Sequence, residues 1–194
     1  MSVNLIKGQK ISLVKEGDLS LTKVVMGLGW DAKKVGGILG FLGGGTKEID
    51  LDASCIMFDE NRQMLDAIWF RQLRSKDGSI THTGDNRTGA GEGDDEQIIV
   101  DLSRIPANVK SLMFVVNSFL GQNFSQIENA FCRIVNQKTG QEIAKYNLSC
   151  QGNHTAQIMA KVYRYNGEWK MNAIGENASG RTFQDLLPVM IAHL

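Results

Sequence analysis

The sequence predicts an all-β domain, a sandwich or barrel, with one helix at its C-terminal end. Apolar and polar residues alternate with period two through most of the chain, and turn residues interrupt that alternation at short intervals. Only the last stretch, 181–194, breaks the pattern and switches to helical spacing.

In chain order the alternation predicts strands over 11–15, 22–28, 48–58, 67–73, 97–102, 111–117, 130–136, 142–148, 156–165 and 168–174. The clearest hairpin is Tyr163-Arg164-Tyr165-Asn166-Gly167-Glu168-Trp169, because Asn-Gly accepts the positive φ angles of a type I′ turn. Asp77-Gly78 is read as a second turn of that kind. In the terminal segment Phe183, Leu186, Leu187, Met190, Ile191 and Leu194 share a helical face, with Thr182 as its cap. Pro188 either kinks that helix or marks a first turn.

With 194 residues the chain suits one domain spanning 1–194. Its 21 basic and 21 acidic side chains cancel, and no basic stripe is visible, which argues against nucleic acid as a partner. No run of roughly 20 apolar residues offers a membrane span, and the start lacks the pattern of an export signal, so a cytoplasmic protein is expected. Cys55, Cys132 and Cys150 are odd in number and lack C-x-x-C spacing, which predicts free thiols rather than disulfides or a thiolate metal site. Cys55 and Cys132 have apolar neighbours and are expected in the core. The glycine-rich segment 35–45 reads as a long loop with an apolar tip, either folded back over the sandwich edge or offered to a partner or membrane surface.

The chemistry concentrates in a second glycine-rich segment. Residues 85–96 hold the carboxylates of Asp85, Glu92, Asp94, Asp95 and Glu96, with one opposing charge, Arg87. Two carboxylates about 5 Å apart repel by roughly 3 kcal/mol at an effective dielectric of 20, so such crowding calls for full solvation or a cation. Gly84, Gly89, Gly91 and Gly93 let the backbone curl and turn its carbonyls toward a common centre. Carboxylates and carbonyls together are hard oxygen ligands, suited to calcium's six to eight oxygens and irregular geometry better than to strictly octahedral magnesium. Arg87 and Gly89 at the third and fifth positions exclude an EF-hand, and the absence of a following Lys-Ser/Thr excludes a phosphate-binding P-loop. His82, just before the segment, reads as an ordinary core or surface histidine. In Ile49-Asp50-Leu51-Asp52-Ala53-Ser54-Cys55 the period of two puts Asp50 and Asp52 on one face, which is either a second part of the site or a solvated sheet face. Asp31, after Gly27-Leu28-Gly29-Trp30, is a third acidic candidate.

Taken together, these segments resemble the TerD family of tellurium-resistance and stress proteins. The resemblance rests on Lys7-Gly8-Gln9-Lys10-Ile11-Ser12-Leu13, Gly27-Leu28-Gly29-Trp30-Asp31, Asp50-Leu51-Asp52-Ala53, His82-Thr83-Gly84-Asp85-Asn86, Gly91-Glu92-Gly93-Asp94-Asp95-Glu96 and Asn129-Ala130-Phe131-Cys132-Arg133. Ile68-Trp69-Phe70-Arg71 and Val116-Asn117-Ser118-Phe119 resemble its TerZ branch. The resemblance implies a two-sheet, C2-like β-sandwich that binds calcium and acts with partner Ter-family proteins near the inner face of the membrane, without an assigned reaction. It carries the metal site onto Asp31, Asp50, Asp52, Asp85, Asn86, Glu92, Asp94, Asp95 and Glu96, with Thr88, Gly89 and Gly91 as carbonyl donors. That many oxygens exceed the need of one ion and imply either two neighbouring calcium ions, the favoured count, or a few residues that only orient the ligands.

Two other readings compete with an interaction module. A metal-dependent phosphoester hydrolase requires a nucleophile and a base, and Ser54, Ser118, His154 and His193 share no motif that supplies them. Direct handling of tellurite or related oxidants by the three thiols is the other.

Overall fold

The computed structural model describes residues 2–13, 21–32, 50–84, 93–148 and 152–194. Among them the strands are β1 (Val3–Asn4), β2 (Lys10–Ser12), β3 (Lys23–Ala32), β4 (Leu51–Phe58), β5 (Met64–Ile68), β6 (Ile80–His82), β7 (Glu96–Asp101), β8 (Ser111–Ser118), β9 (Ile127–Asn136), β10 (Glu142–Asn147), β11 (Ala156–Tyr165) and β12 (Glu168–Ala178); one helix, α1 (Phe183–Ile191), follows. One sheet runs β1-β10-β9-β3-β7-β6 and the other β2-β12-β11-β8-β4-β5. Neighbouring strands are antiparallel except β1 and β10, which pair in parallel.

The two sheets face each other because one side of each strand is apolar. Val24, Met26, Leu28 and Trp30 from β3 and Cys132 and Ile134 from β9 meet Leu51, Ala53, Cys55 and Met57 from β4 and Leu112, Phe114 and Val116 from β8 in one core. β4 and β8 also carry apolar residues on their outer side. There Ile56, Phe58, Met113 and Val115 join Ile158 and Ile174 in a second core, covered by Phe183, Leu186 and Met190 of α1. The helix closes over this patch because burying each such side chain contributes about 2 kcal/mol. The Asp185 carboxylate accepts the backbone N–H groups of Arg181 at 2.8 Å and Thr182 at 3.2 Å, fixing where the helix begins. Pro188 lies inside the helix rather than in its first turn.

The expected strands are present with shifted ends. The strand expected over 67–73 is β5 at Met64–Ile68, after which the chain makes only the isolated bridges Trp69 with Gln72 and Arg74 with Thr81. β1 and β6, two and three residues long at sheet edges, are too short for alternation to reveal. At the predicted hairpin Asn166 and Gly167 have φ of 51° and 80°, as a type I′ turn requires. The Asp77-Gly78 expectation is corrected: Asp77 is absent from the positive-φ residues, and the turn closes from the Gly78 N–H to the Ser75 carbonyl. The segment 35–45 lies outside the described residues.

Candidate metal centre

The acidic segment re-enters the described residues at Gly93 and is fastened at once to β3. Asp95 donates its N–H to the Leu28 carbonyl at 2.8 Å, and its Oδ2 accepts the Trp30 N–H at 2.9 Å. Gly27 and Gly29 make this approach possible. A Cβ at Gly27 would fall 2.2 Å from Asp94 Oδ2, and one at Gly29 would fall 2.6 Å from both the Gly93 carbonyl oxygen and the Phe131 ring. The two glycines leave a trough on the outer face of β3, and Gly93 and Asp94 lie in it.

Asp94 is held on both oxygens. Arg133 Nε donates to Oδ1 at 2.7 Å and Gln97 Nε2 to Oδ2 at 3.1 Å, with the carboxylate side chain only 2% exposed. Arg133 sits opposite Gly27 in the sheet, so its guanidinium reaches over the missing side chain, and its Nη1 also reaches Glu142 at 3.4 Å. The Asp94 hydrogen bond is the main cause that raises the Arg133 pKa further above its ordinary value.

Asp95 is different. Burial pushes its carboxyl above the ordinary aspartate range; the Trp30 N–H pulls it back, and the negative charges of Asp31, Asp94 and Glu96 raise it again. Asp31, half-buried near the end of β3, accepts a hydrogen bond from Asn129 Nδ2 at 2.8 Å. Asn129 adopts a left-handed φ of 55° where the β3–β9 register shifts. That bulge carries the amide to Asp31.

Glu96 turns the other way, into the sandwich. Fully buried, it accepts the Ala53 N–H at 2.7 Å and lies 3.4 Å from His82 Nε2. Gly84 donates its N–H to His82 Nδ1 at 3.1 Å, which places the imidazole proton on Nε2, facing the Ala53 carbonyl at 3.2 Å and Glu96. His82 is thus a core histidine, one of the two settings that the sequence leaves open. It also ties the entrance of the acidic segment to its exit and to β4.

Asp50 and Asp52 do not lie on a solvated sheet face; they are 8% and 3% exposed. They belong to the outer side of β4, the side that carries Ile56 and Phe58, and Asn117 Nδ2 stands 3.4 Å from Asp52 Oδ2 while donating to the Arg181 carbonyl at 2.7 Å. Asp31, Asp94 and Asp95 belong to the opposite sheet's outer side. The described carboxylates therefore form two groups with Glu96 between them, and among the described residues no three His, Cys, Asp or Glu side chains gather at one point able to hold a metal. Asp85, Asn86, Thr88, Gly89, Gly91 and Glu92 lie outside the described residues.

Arg133, Asn129 and Asn117 were not among the sequence candidates. The sequence signals for Arg133 are its place in the 129–133 segment of the family resemblance and its outward position in the alternation around Ala130 and Cys132; its reach to Asp94 depends on the strand order β9-β3-β7. Cys55 and Cys132 are buried free thiols, as expected, and Cys150 lies outside the described residues. Desolvation pushes the Cys132 thiol up to about 12 and the Cys55 thiol higher still.

A β-sandwich with Gly93 and Asp94 laid in a glycine trough defines a class, and the family model of the TerD domain matches residues 1–188 of this chain. The chain belongs to the TerD family. It is 50% identical to the tellurium resistance protein TerZ of Serratia marcescens, over 95% of this chain and 94% of that one. It is 44% identical to the stress response protein SCP2 of Bacillus subtilis (strain 168), over 96% and 98% of the two chains. Among solved structures, a homologue of the telluride resistance protein TerD from Streptomyces coelicolor A3(2) shares the fold, with a TM-score of 0.71 at 18% identity over 89% of this chain and 98% of that one.

Proposed function

We propose that this protein is a calcium-binding interaction module of a tellurium-resistance and stress-response system. The observation that carries the reading is the setting of Asp95, fastened to β3 beside the carboxylates of Asp31, Asp94 and Glu96: burial first, and then those negative charges, raise its pKa even though Trp30 donates to it. A group in that condition gains from a divalent cation. Asp94 and Glu96 serve as fastenings, while Asp31 and Asp95 offer hard oxygens to an ion completed by Asp85, Asn86 and Glu92 and the carbonyls of Thr88, Gly89 and Gly91. Asp50 and Asp52 form the second acidic group, which fits a second ion.

The relatives named for tellurium resistance and stress response support the physiological setting. In this reading the bound cations order the acidic segment and present a surface to other Ter-family proteins in the cytoplasm, at the inner face of the membrane. No helix among the described residues is long and apolar enough to cross a membrane. A non-catalytic role is supported by the serine and histidine partners: the Ser118 hydroxyl donates to Gln122, and the His154 ring packs on Phe124. Isothermal titration of metal-stripped protein with calcium and with magnesium tests the reading. Saturable calcium heats accompanied by a higher thermal midpoint are expected, amounting to about 2.7 kcal/mol of stabilisation at a hundredfold excess over Kd. No heat and no midpoint shift would reject it.

A further inference from the structure

The outer face of the β2-β12-β11-β8-β4-β5 sheet is only partly covered by α1. Beyond the helix, Lys10 and Ser12 of β2, Lys170 and Asn172 of β12 and Lys161 and Tyr163 of β11 stand side by side. The register pairs Lys10 with Asn172 and Asn172 with Lys161, and Ser12 with Lys170 and Lys170 with Tyr163. Between Lys10, Ser12, Lys170, Tyr163 and Tyr165 lies a cleft of about 320 Å³. We propose that this cleft binds a phosphate-bearing anion, with Lys10 and Lys170 of its lining as the cationic contacts, Lys161 alongside them in the register, and the hydroxyl of Tyr163 as a donor.

The protein as a whole is neutral, yet among the described residues no carboxylate stands within ion-pair distance of any of these three lysines. Glu168 at the rim takes the Ser12 hydroxyl at 3.4 Å, and Glu176 is engaged by Lys7 at 2.9 Å. Lys161 gives a hydrogen bond to the His193 carbonyl at the end of the chain, and its pKa is lowered by burial and then by the positive charges of Lys10 and Arg62. An anion relieves that repulsion.

A polar orphan lies in the same row. The Oδ1 atom of Asn172, between Lys10 and Lys161, is buried and accepts no hydrogen bond.

Lysine ammoniums act as compact point charges and bind the oxygens of a phosphate in that way. Lys10 and Lys161 are two strand spacings apart, roughly 10 Å at the backbone. Lys170 Nζ already rests 4.3 Å from the Tyr165 ring centroid and Lys161 Nζ 5.2 Å from that of Tyr163, which holds both ammoniums over the sheet.

The test uses metal-free protein, so that calcium cannot bridge phosphate to the acidic segment, and titrates inorganic tripolyphosphate by calorimetry. Saturable binding is expected, weakened at least tenfold in the double variant Lys10→Gln/Lys170→Gln and unchanged in Lys138→Gln on the distant β9–β10 turn. Cosedimentation with phosphatidylglycerol vesicles, lost in the same double variant, would identify lipid phosphate as the source; tripolyphosphate binding without vesicle binding would identify a soluble one. Absence of binding to either probe, or binding that the double variant retains, overturns the proposal.

Discussion

The carboxylate of Asp94 occupies the space in which a side chain at Gly27 would stand: a Cβ there would fall 2.2 Å from Oδ2 and 2.3 Å from the carboxyl carbon. The glycine and the acid are thus two halves of one feature, although 67 positions of chain numbering separate residues 27 and 94. Gly27→Ala is expected to lose about 1–3 kcal/mol, the usual cost of overpacking, and to weaken calcium binding at least tenfold by lifting the acidic segment from β3. Urea unfolding and calcium titration of the same variant check both effects. Wild-type affinity would show that the trough does not position the site.

The Arg133–Asp94 pair should respond asymmetrically. Arg133→Gln strands a carboxylate that is 2% exposed, and about 3 kcal/mol is expected, the low end for breaking a buried pair because Gln97 still donates. Asp94→Asn frees a guanidinium that is 30% exposed and can hydrate, so its cost should be smaller. Combining the two should cost less than the sum of the single changes. Additive costs in denaturant titrations would mean that the pair carries no coupling.

Much of this arrangement could be read from the residues alone, for a physical reason. Alternation reports which residues share a side of a strand, so it sets Asp50 and Asp52 on one face of β4 and Leu51, Ala53 and Cys55, which fill the core, on the other. Alternation does not report what covers the outer side. That β4 is buried on both faces depends on the helix over Ile56 and Phe58, so a solvated setting for Asp50 and Asp52 was an equal reading of the same pattern. Charge crowding marked the 85–96 segment as a whole, but it could not distinguish a carboxylate that is a fastening from one that is open to an ion. The division between Asp94 and Glu96 on one side and Asp31 and Asp95 on the other rests on Arg133, Gln97 and the Ala53 N–H, partners set by sheet order.

Thiol chemistry offers a separate check. With the Cys132 thiol pushed up to about 12, its thiolate fraction at pH 8 is about a thousandfold below that of an ordinary cysteine, and Cys55 should be less reactive still. Labelling by a disulfide reagent, read by mass spectrometry at each site, is expected to spare both residues in the native protein and to modify both in urea. Rapid native labelling of Cys55 or Cys132 would reopen a direct role in handling oxidants.

Lys161 gives the pH dependence a definite sign. Its folded-state pKa lies below 10.5, so between the two values the unfolded chain holds more protons on this group and stability rises with pH through that window. Lys161→Met removes the contribution. The stability of Lys161→Met relative to wild type is therefore expected to fall as the pH is raised from 7 toward 10.5, as measured by urea midpoints. A constant or growing difference would contradict the burial and neighbouring charges assigned to Lys161.

The central claim, that the acidic segment holds a divalent cation through Asp95, is tested most directly by a calcium titration followed at backbone amides. The Trp30 N–H is donated to the Asp95 carboxylate and the Ala53 N–H to Glu96, so the two amides separate the ligand from the fastening. A Trp30 amide resonance that moves and saturates with calcium, while that of Ala53 moves far less, is the predicted result. A Trp30 resonance that stays in place through millimolar calcium would contradict the claim.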